Sequence, residues 1–434
     1  MTNVVQGRTL DIRPANRVAG SLHVPGDKSI SHRYVMLGSV AVGTTVLSGL
    51  APGADVAATV ACCRALGARV SADGPLGLRI EGLGWDGLSE PSGALYAANS
   101  GTTMRLLAGL VAGRPFRTTI VGDESLQGRP MARVIAPLEA MGARINATNG
   151  RAPLVIEGGD LHGVTWTPTV PSAQVKSALM LAGLSASGDT TIQETQPTRN
   201  HSERAFPAFG LAVRIDAHGV HVPGGQEARA PSEPLAVPGD PSSAAVWAAA
   251  AAALPGSSVD LQGVLLSPRR LGFVRALQRL GAEISITEMA EVAGERVGSL
   301  RVSHGSHAHC TITAEEVPDL IDELPVLAAR AALGGSLDVT GAAELRVKES
   351  DRITALVRGL RALGVTADER PDGFVIDGSR RPAGGTADAA GDHRLVMAFA
   401  IVGLGASGPT TILGADAVAV SYPDFARDLA SLVS

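Results

Sequence analysis

The chain has 434 residues, enough for two or three domains with proper cores, and a net charge of −5 with no basic tail argues against nucleic acid as a partner. It is 45% hydrophobic, with 52 Gly but only 3% aromatic residues, so its core is expected to be closely packed Ala, Val, Leu and Ile. The longest apolar run, 244–254, is alanine-dominated and too short to span a bilayer, and the opening residues lack a signal peptide's apolar stretch. Cys62, Cys63 and Cys310 form neither a metal spacing nor a disulfide framework. A soluble cytoplasmic protein is expected.

In chain order, a polar start leads six times into an Ala/Leu/Val-rich helix, a Gly-containing turn and a Thr/Val/Ile strand. The first module opens at Asp27-Lys28-Ser29 and closes in Gly43-Thr44-Thr45-Val46-Leu47. The second runs from Asn99-Ser100-Gly101-Thr102 to Thr118-Thr119-Ile120-Val121, and the third from Ser172-Ala173-Gln174 to Gly188-Asp189-Thr190-Thr191-Ile192. The fourth runs from Gly239-Asp240-Pro241-Ser242-Ser243 to Gly256-Ser257-Ser258-Val259, and the fifth from Pro318-Asp319 to Gly335-Ser336-Leu337-Asp338-Val339. The last runs from Asp392-His393-Arg394 to Gly408-Pro409-Thr410-Thr411-Ile412. A spacing of roughly 70–80 residues is too long for a solenoid repeat and suits a multi-element βα module.

Each module also carries an amphipathic helix, and five of these end in a recurring phrase built on Gly67, Gly142, Gly210, Gly281 and Gly364. Glycine there closes a helix by adopting the left-handed conformation. The first helices differ: 244–254 and 395–404 are apolar on nearly every side, which predicts burial all round. Three modules sharing buried helices make one domain, and six make two similar domains.

The polar starts read as helix N-termini capped by Asp27, Asn99, Ser172, Asp240 and Asp392, with Pro241 in a first turn. Such termini attract anions. Cations nevertheless recur there: Lys28 and Arg33, Arg105, Lys176, Arg394. They are unfavourable against the helix dipole, so a polyanionic ligand that compensates both is expected. Lys28, Lys176 and Lys348 are the chain's only lysines, and each lies in a polar motif. A lysine kept where arginine serves everywhere else points to a role needing a compact, titratable charge. Arg129, Arg199, Arg346 and Arg352 occupy turn-like sites, where guanidinium groups grip phosphate and carboxylate bidentately. No metal spacing exists; His304, His307 and His309 lie in a Gly/Ser-rich segment without carboxylates and read as a solvated loop. The 26–29 motif lacks the glycines of a P-loop, and no dinucleotide fingerprint opens the chain. Neither metal nor cofactor is expected, and the ligands should be small phosphorylated, carboxylated molecules.

These motifs resemble the 5-enolpyruvylshikimate-3-phosphate synthase family. The resemblance runs from Pro25-Gly26-Asp27-Lys28-Ser29-Ile30-Ser31-His32-Arg33, through Asn99-Ser100-Gly101-Thr102-Thr103-Met104-Arg105, Ser172-Ala173-Gln174-Val175-Lys176 and Arg199-Asn200-His201-Ser202-Glu203. It continues through Gly239-Asp240-Pro241-Ser242-Ser243, Arg346-Val347-Lys348-Glu349-Ser350-Asp351-Arg352 and Asp392-His393-Arg394 to Ser421-Tyr422-Pro423-Asp424-Phe425, with the class II branch as the nearer match. It implies an α/β fold of two similar domains, each of three βαβαββ units around buried parallel helices, the inside-out α/β barrel of the enolpyruvyl transferases. It also implies domains at 27–240 and at 1–26 plus 241–434, with the active site in the interdomain cleft of a monomer. The implied reaction transfers the enolpyruvyl group of phosphoenolpyruvate to the 5-hydroxyl of shikimate 3-phosphate through a tetrahedral adduct, releasing phosphate, in the shikimate pathway to chorismate and aromatic amino acids. By resemblance, Asp319, Glu349 and Lys28 are the catalytic groups. Lys28, Ser29, Arg33, Ser172, Ala173, Gln174, Arg199, Asp319 and Lys348 match the shikimate-phosphate site. Lys28, Gly101, Arg129, Gln174, Arg352 and Arg394 match the phosphoenolpyruvate site, which is the target of glyphosate. Val420 departs from the pattern, standing where some members carry a lysine. Two other readings remain: the sister enzyme acting on UDP-N-acetylglucosamine, and a non-catalytic anion-binding repeat protein. Against the first stand Ser29 in place of asparagine and a loop 122–130 without cysteine; against the second stands the joint presence of Asp319, Glu349 and Lys28.

Overall fold

The computed structural model describes residues 5–6 and 8–433. Two compact units emerge. The N-unit comprises Gly26–Val237 and Val292–Gly294; the C-unit comprises the chain up to Pro25, Pro238–Glu291 and the chain from Glu295 onward. Among the described residues each unit holds three four-stranded sheets.

All six sheets share one pattern. The strand after a buried helix sits inside the sheet, antiparallel to one neighbour and parallel to an edge strand, which in four sheets precedes that helix and in the other two precedes a buried helix of the other unit. In one case Arg117–Val121 pairs antiparallel with Arg151–Glu157 and parallel with Leu95–Tyr96. Thr410–Leu413 likewise pairs antiparallel with Thr9–Ile12 and parallel with Gly385–Asp388. The crossings between units at residues 25–26 and 237–238 each fall between an edge strand and the next buried helix. Ala19–His23 therefore pairs with Ser258–Leu265, and Leu235–Ala236 pairs with Val42–Ser48.

The glycine phrases end helices as expected. Gly67, Gly142, Gly210, Gly281 and Gly364 all have φ between +71° and +111°. The residue after each donates its N–H back to the fifth carbonyl before it, as in Val365 to Leu360 (3.0 Å) and Ala282 to Leu277 (2.9 Å). This satisfies carbonyls that a helix end otherwise leaves open.

The apolar helices lie at the centre of each unit. In the C-unit, Pro241–Ala253, Leu324–Ala332 and His393–Gly405 pack on one another. In the N-unit, Gly101–Ala112 packs on both Lys28–Val40 and Ala173–Gly183. Every residue of Pro241–Ala253 is buried, and its alanines allow neighbouring backbones to approach closely. Sheets flank these helices with one face inward, as in Arg151–Glu157, where alternate residues are buried.

Two expectations about helix starts are corrected. The fifth buried helix begins at Leu324, because Val317–Asp319 forms a separate 3-10 turn. Pro318 fits the start of that turn, and three further residues intervene before Glu323 takes the cap position. In the second module the cap is Ser100, whose hydroxyl accepts the N–H of Thr103 (3.1 Å); Asn99 stands one residue too early. Asp27, Ser172, Asp240 and Asp392 do cap their helices, and Pro241 occupies a first turn. No helix among the described residues is long and apolar enough to cross a membrane.

Candidate active site

On the central helices, incomplete burial is confined to the first turn. Lys28 and Ser29 are the residues of Lys28–Val40 that are not buried; on Gly101–Ala112 it is Thr102; on Ala173–Gly183, Ala173 and Gln174; on His393–Gly405, Arg394. A helix enclosed by protein along its length and open at its amino end presents free N–H groups and a positive dipole there. Five of these six residues were singled out from sequence as site residues.

In the N-unit these starts are joined by side chains. Gln174 donates from Nε2 to Thr102 Oγ1 (2.9 Å) and accepts at Oε1 from Arg105 Nη1 (2.7 Å). Arg105 also donates to the Pro130 carbonyl (3.2 Å), tying in the loop that carries Arg129. Arg129 donates to the Asn99 side chain and to Ser125 Oγ (3.2 Å), while Asn99 donates to Asp123 Oδ2 (2.7 Å). Gly101 sits between the arginines: a Cβ there would lie 2.6 Å from Arg105 Nη1 and 3.5 Å from Arg129 Nη1. Arg33 crosses to the Ala173–Gly183 helix, donating to Ser177 Oγ (2.6 Å), and to Ser202 Oγ (2.8 Å). Lys28 donates to Asp55 Oδ2 (2.9 Å). Between Lys28 and Arg33, His32 is fully buried against Thr59 Oγ1 (2.7 Å). Burial, then the charges of Lys28 and Arg33, push its pKa well below the usual histidine value, so it adds no charge near neutral pH.

In the C-unit, Arg352 is the hub. Its Nε donates to Asp392 Oδ2 (2.7 Å), and both groups are at most 1% exposed. It pairs with Glu349 and lies 3.8 Å from Asp322. Burial opposes its charge, but Asp392, Glu349 and Asp322 overcome that, and its pKa rises. Arg394 donates to the Asp322 carbonyl (2.9 Å) and approaches Glu323 at 4.0 Å. Glu323 accepts the Ser242 hydroxyl; Arg270 donates to both Ser242 Oγ (3.1 Å) and Asp240 Oδ1 (2.7 Å). The starts of four helices are thereby linked. Half-buried Lys348 has its pKa lowered by burial, against the pull of Asp322 and Glu344. Asp319 stands in its 3-10 turn, 3.5 Å from both Arg269 and Arg275.

Lys28, Ser29, Arg33, Gly101, Arg129, Ser172, Ala173, Gln174 and Arg199 thus fall in the N-unit, and Asp319, Lys348, Glu349, Arg352 and Arg394 in the C-unit. Protein carboxylates also offset these cations, as Asp55 does for Lys28 and Asp322 for Arg394. Sequence reading missed Asp55, Asp322, Glu323 and Glu194. Asp55 carried a signal: it is the only acidic residue in the Ala54–Ala65 helix, and it is buried in the first turn. Lys176 is also reassigned. It is 1% exposed and paired with Glu194 (2.8 Å) and Glu203 (2.7 Å). Arg346 is taken up by Asp351 (2.8 Å) and Glu369 (3.0 Å) and staples the Arg352 helix to a strand.

The EPSP synthase (3-phosphoshikimate 1-carboxyvinyltransferase) family model matches residues 12–429. The chain belongs to this family. It is 49% identical over 415 residues to a 3-phosphoshikimate 1-carboxyvinyltransferase of Acidithiobacillus ferrooxidans, covering 95% of each chain. With the same-named protein of Gloeobacter violaceus it shares 47% over 429 residues, 98% of this chain and 99% of the relative. Among solved structures, an EPSP synthase from Acinetobacter baumannii aligns over 98% of both chains, with a TM-score of 0.86 and 38% identity.

Proposed function

We propose that the protein transfers the enolpyruvyl group of phosphoenolpyruvate to the 5-hydroxyl of shikimate 3-phosphate, releasing phosphate, as a cytoplasmic monomer. Family membership over nearly the whole chain supports the reaction. The observation that carries the site assignment is the opening of otherwise enclosed helices at Lys28, Ser29, Thr102, Ala173, Gln174 and Arg394. Backbone N–H groups and nearby guanidinium groups there suit two substrates with phosphate and carboxylate groups.

Ser29, Arg33, Ser172, Ala173, Gln174, Arg199 and Lys348 hold shikimate 3-phosphate in this reading. Gly101, Arg129, Gln174, Arg352 and Arg394 hold phosphoenolpyruvate, and Lys28 serves both. The acceptor hydroxyl gives up its proton as its oxygen bonds to C2 of phosphoenolpyruvate, while C3 takes a proton. The adduct then loses a proton from C3 as the C2–O bond to phosphate breaks. Asp319, Glu349 and Lys28 share these transfers; groups that titrate together are best treated as one system.

Phosphate release tests the reading. Release with phosphoenolpyruvate plus shikimate 3-phosphate, and none with UDP-N-acetylglucosamine, is expected. Release only with the nucleotide sugar would move the protein to the sister activity, and none with either would make it a binder.

A further inference from the structure

Lys176 is the lysine that the substrate site does not absorb. It lies in the first turns of the Ala173–Gly183 helix, one turn beyond Ala173, with its ammonium enclosed between Glu194 Oε2 (2.8 Å) and Glu203 Oε1 (2.7 Å). Glu203 belongs to the His201–Ala208 helix. Glu194 follows the Thr190–Ile192 strand, and its second oxygen accepts the Thr198 N–H (3.0 Å) and the Thr198 hydroxyl. Lys176, Glu194 and Thr198 therefore close residues 194–198 into a ring that ends beside Arg199. Next to Lys176, Ser177 accepts from Arg33 (2.6 Å) and Ser202 (2.8 Å), so both networks tie the same two helices.

Stability is a weak reason for such a cluster. The buried charges of Lys176 and Glu203 beside a half-buried Glu194 cost desolvation, and apolar side chains of similar size commonly do as well. What the cluster supplies is geometry. Residues 193–200 contain neither helix nor strand, so side chains must fix their path.

We propose that Lys176 is a positioning residue. Through Glu194 and Thr198 it fixes the 194–200 segment, and with it Arg199, relative to the helix start formed by Ser172, Ala173 and Gln174, so that both meet the phosphorylated acceptor in one geometry. This rests on the reading that Arg199 contacts that acceptor. It also explains why arginine does not replace Lys176: a compact ammonium fits between two carboxylates on different elements, whereas a planar fork is longer.

The test avoids Lys176 itself, since its removal leaves the buried Glu203 carboxylate beside Glu194 without their cation and endangers folding. Glu194→Gln and Thr198→Val preserve shape while weakening the ring. Each is expected to raise KM for shikimate 3-phosphate about tenfold, the scale of one lost charge-assisted hydrogen bond, with KM for phosphoenolpyruvate and kcat within about twofold. In an Arg199→Ala background, Glu194→Gln should add no further rise. An equal rise in both backgrounds, or equal rises in both KM values, overturns the proposal. So does an unmoved KM in a wild-type enzyme that turns over shikimate 3-phosphate normally. If the wild type does not accept that substrate, the functional reading fails first and this inference falls with it.

Discussion

Gly101→Ala separates binding from stability. Its Cβ would stand 2.6 Å from Arg105 Nη1. Ordinary contact is about 3.5 Å, so the guanidinium must retreat by about 0.9 Å. That nitrogen also donates to Gln174 Oε1 at 2.7 Å, and a comparable lengthening leaves no hydrogen bond. A bond to a charged group contributes about 1.5–3 kcal/mol, which corresponds to a rise of roughly 10- to 100-fold in KM for phosphoenolpyruvate. Folding should not suffer. The obstacle is the tip of a flexible side chain, and alanine is favoured over glycine in a helix by up to about 1 kcal/mol. The assay is steady-state phosphate release with each substrate varied in turn, beside a thermal melt. An unchanged Tm with KM for phosphoenolpyruvate within about twofold of wild type would show that the Arg105–Gln174 contact does not shape that site.

Lys28→Arg should lower kcat/KM by about 100-fold, because the longer guanidinium cannot hold the Lys28–Asp55 geometry or give up a proton; near-wild-type turnover would show that charge alone suffices. Asp392→Asn keeps an acceptor for the Arg394 N–H but strips the buried Arg352 of its main counter-charge, so unfolding should become easier by up to about 3–5 kcal/mol. Chemical denaturation with and without phosphoenolpyruvate checks this, with partial recovery expected when the ligand is present. Lys348 has a folded pKa pushed below the ordinary 10.5 by burial, so its charge is lost, as pH rises, earlier than that of a free lysine. KM for shikimate 3-phosphate should therefore climb on the alkaline side below that value, and a Lys348→Met enzyme should lack the limb. Ala249→Leu in the enclosed Pro241–Ala253 helix should cost about 1–3 kcal/mol by overpacking; a wild-type Tm would show that the core has room.

Much of this molecule was legible because its signals are local. A capping Asp or Ser acts within three residues, and a closing glycine acts on its own helix. Uninterrupted apolar runs around 244–254 and 395–404 announced helices enclosed on all sides. Where local reading erred, a neighbour competed. Ser100 outbid Asn99 as cap, and Pro318 opened a 3-10 turn instead of the long helix.

The partners of the charges were not legible. Lys28 meets Asp55 across 27 residues, Arg352 meets Asp392 across 40, and Arg394 reaches Asp322 across 72. Ion pairing over such distances leaves no periodic trace, since any carboxylate suits any cation until packing brings one of them near. By itself the sequence determined where four of the six central helices begin, which are enclosed and which cations stand near their amino ends, because propensity, capping and hydrophobic pattern act over a few residues. Only the tertiary structure decided which cations face a helix mouth and which, like Lys176, are spent inside on carboxylates, because that depends on which elements the core packs side by side.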